Sequence, residues 1–336
     1  MATIRDVAKL AGVSVATVSR VLNQNGYVNA KTESSIRSAM TALQYKPNAI
    51  ARSLAGKQTS TIALMIPDIR NPFFPELAKA VESTASKHDY TVILCDSDHD
   101  SSRERKYFDV LKNKKIDGLI LASYTVQPDQ ILELQAEGIP VVLVDNSFPA
   151  HPILSLGVRN RQGAAAAVQH LLDQGCRKIA HIAGPFQVAA SHQRSLGYEE
   201  ACQSKAWFVP SLIAQGDFHA EGGYSAMLEL LDRHPDLDGV FAGNDLMAIG
   251  ARKALSTKGR RLPEDVKLIG FDGIPVHWDE LAFSTMTQPL SAMGELAVDY
   301  LIKLMNGEAL PLEPHELDVE LTVRPSTVRS GLETVY

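Results

Sequence analysis

From Thr61 onward the chain repeats one texture that few folds can accept. TIALMIP, YTVILCD, IDGLILA and IPVVLVD are short apolar runs without polar alternation. A run apolar on both faces needs cover on both faces, the condition of a parallel strand between helical layers. Helical stretches near Phe74–His88, Ser101–Asn113 and Gln127–Glu137 lie between the runs. The texture then restarts with KIAHIAG, SLIAQGD, LDGVFAG and VKLIGFD, with helices near Ser191–Ser204, Ala220–Asp232 and Leu246–Lys258. The halves echo each other: Ile116-Asp117-Gly118-Leu119 is answered by Leu237-Asp238-Gly239-Val240. The expected core is therefore two-lobed and α/β, with two doubly wound parallel sheets and a cleft between them. Ligands of open α/β sheets bind beyond the carboxyl ends of the strands. Asp145 and Asp272 each end a strand there.

The N-terminal stretch has a different period. Ile4, Val7, Ala8, Leu10 and Ala11 follow helical spacing until Gly12, which suits a tight turn. Ser14 stands where an N-cap belongs, and Val18, Val21 and Leu22 give a second helix its inner face. Two short helices about a glycine turn make a helix-turn-helix, whose second helix enters a major groove. Its outward residues, Val15, Ala16, Thr17, Ser19 and Arg20, offer small apolar contacts, hydroxyls and one guanidinium. A third helix is expected from Thr32, as its cap, to Leu43. Asn48 then starts a helix of about two turns that Gly56 stops, too short to be stable without a partner.

Charge separates the two parts. Residues 1–58 carry eight Lys and Arg against Asp6 and Glu33, a net of +6. With the whole chain at −6, the remainder carries −12. A basic head on an acidic body fits a polyanion held by the head. Of 336 residues 45% are hydrophobic, yet no run approaches the roughly 18 apolar residues of a membrane span. MATIRDVAKL lacks the apolar core of an export signal. Cys95, Cys176 and Cys202, odd in number and without CxxC spacing, read as buried thiols of a reducing cytosol. The ten histidines form no metal motif, and no cofactor is expected.

TIRDVAKLAGVSVATVSRVLN, followed by PNAIARSLAGKQT, resembles the lactose-repressor family of bacterial transcription regulators, and the match runs essentially end to end. Within it the look is most similar to ribose and purine repressors. The resemblance implies a helix-turn-helix domain at 1–46, a hinge helix and linker at 47–59, and a sensing core at 60–336 like periplasmic sugar-binding proteins. It also implies lobes built from about 60–160 with 289–318, and from about 161–288 with 319–336. DNA contacts would fall on Thr3, Val15, Ala16, Thr17, Ser19, Arg20, Asn23, Asn29 and Thr32, with Leu54 wedged in the minor groove beside Ala51. The implied partners are operator DNA, a second copy of the chain and a small sugar, in the bacterial cytoplasm at the nucleoid, without a membrane.

The ligand site implied is Asn71, Phe73, Phe74, Asp145, Arg194, Phe218, Asn244, Asp272 and Gln288. Carboxylates and amides suit vicinal hydroxyls, and aromatic rings suit ring carbons. Asn146 stands where ribose-binding relatives carry a second Arg, which widens the choice to other pentoses, hexoses or a sugar derivative. No leucine heptad follows the core for tetramer formation. Three alternatives stay open. A protein or phosphosugar co-regulator would keep the DNA function. A sugar-binding enzyme would need an acid–base pair, but no GxSxG or complete phosphate loop is present. A transport receptor would need an export signal.

Overall fold

The computed structural model describes residues 2–22, 26–45, 59–148, 150–275 and 283–328. Asn23 and the expected hinge helix, with Ala51 and Leu54, lie outside them. The chain divides into two units, 1–59 and 60–336.

The first unit is all helical: α1 (Ile4–Ala11), α2 (Val15–Leu22) and α3 (Ala30–Ala42). Gly12 ends α1 at φ 67°, a left-handed position that costs a Cβ-bearing residue strain. Ser14 Oγ accepts the Thr17 N–H at 3.2 Å, so the turn is capped on both sides. Val7, Val18 and Ile36 form the buried centre. Two expectations fail here. Leu10 is 57% exposed, because α2 and α3 cover only the Val7–Ala8 side of α1. The third helix begins two residues before Thr32: Asn29, not Thr32, caps it by accepting the Lys31 N–H at 2.9 Å.

In the second unit β1 (Thr61–Ile66), β2 (Thr91–Asp96), β3 (Gly118–Leu121), β4 (Val141–Val144) and β5 (Ser155–Val158) alternate with α4 (Phe73–Lys87), α5 (Ser101–Lys114) and α6 (Pro128–Ala136). The second lobe opens with α7 (Asn160–Asp173) and β6 (Ile179–Ala183). It continues through α8 (Ala189–Cys202), β7 (Ile213–Gln215), α9 (Ala220–Arg233), β8 (Gly239–Ala242), α10 (Asp245–Thr257), β9 (Lys267–Asp272) and β10 (Ser284–Thr287). The chain ends with α11 (Leu290–Met305), β11 (His315–Leu317) and β12 (Glu320–Thr322). The sheets run β11-β5-β4-β3-β1-β2 and β12-β10-β9-β8-β6-β7. Both put a long reversal beside β1 or β6, the crevice where α/β sheets bind ligands.

Burial follows the apolar runs. In β1, Ile62, Leu64 and Ile66 face α4 and α11, while Ala63 and Met65 face α5 and α6. One pairing departs from the parallel expectation: β12 runs antiparallel to β10, with Met286 opposite Leu321. The chain has just left the first lobe at β11, and two residues allow only a strand entering the second sheet from its far end. The chain passes between lobes three times, after β5, after β10 and after β11.

Helices α7 and α8 meet at Gly197, where a Cβ would stand 2.1 Å from the Arg161 carbonyl oxygen. Backbone cannot yield as a side-chain tip does. Gly197→Ala is expected to lower core stability by about 1–3 kcal/mol, read as a fall of several degrees in the calorimetric transition of the full chain.

Candidate functional site: a polar cleft at the strand ends and an exposed helical face

The cleft is assembled from turns that leave strands. Asn71, Phe73, Tyr124, Asp145, Ala190, Arg194, Phe218, Asn244 and Asp272 line a narrow cavity between the two lobes. Asp145 at φ 58°, Phe218 at φ 69° and Asp272 at φ 109° are all left-handed and none is glycine. Non-glycine residues hold such conformations at a cost of order 1 kcal/mol or more, and they cluster where a side chain must be aimed.

Arg194 organises the polar floor. It projects from α8 and is 3% exposed. Its Nε donates to Asn160 Oδ1 at 2.8 Å, and its Nη1 donates to the Gly243 carbonyl at 2.6 Å. Nη1 also lies 3.1 Å from Asp272 Oδ1, and the guanidinium sits 3.8 Å over the Phe271 ring. Gln288 lies beneath and donates Nε2 to the same Asp272 oxygen at 2.8 Å. Burial pushes the Asp272 carboxyl upward, opposed by Arg194 and Gln288.

Asp145 is less well served. Its Oδ2 accepts the Tyr124 hydroxyl at 3.3 Å, and its Oδ1 is buried without a partner among the described residues. Burial raises its pKa to about 6, against the pull of Arg194. A third acid, Asp245, is fully buried behind Asp272. Its Oδ2 accepts the N–H groups of Gly273 and Ile274 at 2.8 and 2.9 Å, and its Oδ1 accepts the Thr285 hydroxyl at 2.7 Å. Burial and the Asp272 charge still raise it to about 8. Asp245 touches no cavity space; it holds the turn that aims Asp272.

The aromatic walls come from both lobes. Phe73 packs edge-on against Phe74 at 5.0 Å, and the Tyr124 and Phe218 rings face each other across the cleft at 6.1 Å. Phe74 stands behind Phe73 in the core, 1% exposed, and does not reach the cavity. Gln288 likewise acts through Asp272. Asn244 lines the cavity while also capping α10: its Oδ1 accepts the Met247 N–H at 2.9 Å and its Nδ2 donates to the Phe218 carbonyl at 3.1 Å. Tyr124 and Asp245 escape a reading of the sequence. Tyr124 sits in a loop without a motif, and Asp245 looks like an ordinary first-turn acid beside its cap.

On the helical unit, Val15, Ala16 and Arg20 of α2 are exposed, and Thr17 and Ser19 are half-buried. Thr3 and Asn29 are exposed but serve as caps: the Thr3 hydroxyl donates to Asp6 Oδ2 at 2.8 Å. Thr32 is half-buried on the first turn of α3. Arg5, Lys9, Lys31 and Arg37 are exposed around them. Tyr27 is 91% exposed.

Residues 3–48 match the model of bacterial regulatory proteins of the lacI family, and residues 59–315 match that of periplasmic binding proteins and the sugar binding domain of the same family. The chain belongs to the lacI family of bacterial transcription regulators: it carries a DNA-binding head and a sugar-binding core, and it is not an enzyme. A ribose operon repressor of Halalkalibacterium halodurans is 42% identical over 97% of this chain and 97% of its own. The lac repressor dimer, solved bound to operator and the anti-inducer ONPF, superposes with a TM-score of 0.85 at 27% identity, over 97% of this chain and 99% of that one. A LacI family regulator from Enterococcus faecium with bound ribose gives 0.71 at 28% identity, over 79% and 98%. Among the described residues no helix is long and apolar enough to cross a membrane.

The Asp145 carboxyl supplies a pH test. Its folded pKa of about 6 lies above the ordinary 3.8, so the folded chain binds this proton more tightly than the unfolded one. The stability contributed by the proton is present below about pH 4 and is lost as pH rises through about 6. Asp145→Asn should therefore melt a few degrees above the parent at pH 7 without ligand, the difference closing towards pH 4. Parallel thermal melts across that range check it.

Proposed function

We propose that the chain is the repressor of a sugar-catabolic operon, that two copies bind a pseudo-palindromic operator, and that ribose or a closely related pentose is the inducer. The observation that carries the ligand reading is the buried, unpartnered Asp145 Oδ1 in a cavity walled by Phe73, Tyr124 and Phe218. A buried acceptor without a donor costs on the order of 1–3 kcal/mol, which a hydroxyl donor removes. Vicinal hydroxyls on a small ring meet that acceptor, while the ring carbons meet the aromatic faces. One guanidinium against three buried carboxylates disfavours a phosphosugar.

The likeness to the ribose operon repressor and to the ribose-bound regulator supports the same choice. Asn146 is spent on structure, since its Nδ2 donates to the Ser123 carbonyl at 2.8 Å. It replaces none of the donors of a second arginine, so the ligand must be held with fewer cationic contacts. Action on operator DNA places the protein in the cytoplasm at the nucleoid. Two-fold symmetry of the protein calls for two operator half-sites about one helical turn apart.

The test is an operator titration with and without saturating D-ribose. Arg194→Ala is a poor variant for it, because it strands Asp272 in the interior at about 3–5 kcal/mol. Asp272→Asn keeps the volume and the Gln288 neighbour. It should abolish the response to ribose while leaving ligand-free operator affinity within about threefold, under 1 kcal/mol. A full response at the same ribose concentration overturns the pocket reading. Loss of ligand-free binding overturns the separation of pocket from DNA reader. Operator affinity should also fall steeply with salt, each neutralised phosphate adding about −0.9 to the log–log slope.

A further inference from the structure

Above the sugar cavity, at the mouth of the cleft, three side chains converge that the sugar does not need. Asp68 follows β1, His99 follows β2, and His219 precedes α9 in the opposite lobe. One carboxylate oxygen and one ring nitrogen from each histidine lie within 4.8 Å of one another. Asp68 is 1% exposed. Its Oδ1 accepts the Arg70 N–H at 2.9 Å and the Arg70 Nε at 2.8 Å. Its Oδ2 is buried without any partner among the described residues. Arg70 spends its remaining reach on Asp98, at 2.8 Å, so the guanidinium does not cover the free oxygen.

The backbone works to hold His99 there. Asp98 and His99 are consecutive left-handed residues, at φ 52° and 57°. Such pairs of non-glycine residues are costly and persist only where surrounding contacts enforce them. The enforcement is visible: the His99 N–H donates to the Pro67 carbonyl at 3.0 Å, and its ring stacks on Tyr124 at 5.8 Å. His219 is oriented by its own backbone, whose N–H donates to Asp217 Oδ1 at 2.8 Å. The two imidazoles meet edge-to-face at 6.3 Å across the gap.

We propose that Asp68, His99 and His219 form a transition-metal site, of the zinc class, that clamps the two lobes at the mouth of the cleft. The donor set selects the ion. Two imidazoles and one carboxylate suit zinc, nickel, cobalt or copper, whereas magnesium and calcium want an all-oxygen shell. Zinc bonds of about 2.0–2.2 Å put tetrahedral ligands roughly 3.3 Å apart, so the present cluster needs a closure of up to about 1.5 Å. Two ligands belong to one lobe and the third to the other, so metal binding favours the closed cleft. Three protein ligands leave a fourth position for water at the open rim. The site uses no cavity residue and stands whichever sugar is bound below it.

The experiment uses the full-length protein, stripped with a chelator and exchanged into buffer at pH 7.5. Zinc chloride is titrated by calorimetry, and cobalt chloride is titrated by its visible absorption. The parent is expected to take up one ion per chain with a Kd in the micromolar range or tighter, and zinc should raise its melting temperature. His99→Ala, His219→Ala and Asp68→Asn should each weaken zinc binding at least tenfold and remove the thermal shift. His219→Gln is the variant least able to disturb the fold, since the residue lies at the rim; its melting temperature without zinc should match the parent's. Absence of zinc binding by the parent overturns the proposal. So does zinc binding of unchanged affinity in His99→Ala and His219→Gln, which would put the ion on other histidines.

Discussion

One guanidinium governs the interior of the cleft. Arg194 is the single cation among Asp145, Asp245 and Asp272, all of which are buried and all of which burial pushes towards their neutral forms. A buried charge persists only when paired and hydrogen-bonded. Arg194 meets that condition through Asp272, Asn160 and the Gly243 carbonyl, all in the second lobe, with Asn160 standing just past the first crossing. The same side chain therefore fixes the polar floor of the cleft and ties the start of α7 to the ends of β8 and β9. What it leaves undone is the far side of Asp145. That deficit leaves one buried carboxylate oxygen open to a hydrogen-bond donor.

The strained turns belong to the same economy of design. Asp98, His99, Asp145, Phe218 and Asp272 all adopt left-handed backbone just past the ends of β2, β4, β7 and β9. Each strand end faces the cleft, and each turn aims a polar or aromatic group at its space or its rim. Regular strands supply rigidity, and these five strained residues stand together around the cleft.

Much of this was legible in the sequence, for identifiable reasons. Gly12 and Ser14 punctuate the head, and the Val18–Val21 spacing sets its inner face. The long strands announce themselves by runs buried on both faces, and Asp145 and Asp272 by ending them. The remainder is non-local. Strand β5 has four residues and β11 and β12 three each, too few for any periodicity. The polar stripe of α7 is thin, with Gln162, Gln169 and Asp173 on its exposed side and Ala166 between them. The crossings are suggested by family resemblance alone, because nothing in three residues says which sheet they will join. The cluster at 68, 99 and 219 has no sequence spacing to betray it.

The short segment from His315 to Thr322 has a consequence for how the protein is made. It supplies an edge strand to each sheet, β11 to one and β12 to the other. While the ribosome is still short of residue 315, neither lobe has its last strand, and β10 presents a bare edge where β12 will pair. The helical head, by contrast, is complete within its first 45 residues. A nascent chain thus displays a reading head long before it owns a finished sensor. The sensor is finished only when one strip of eight residues has closed both sheets.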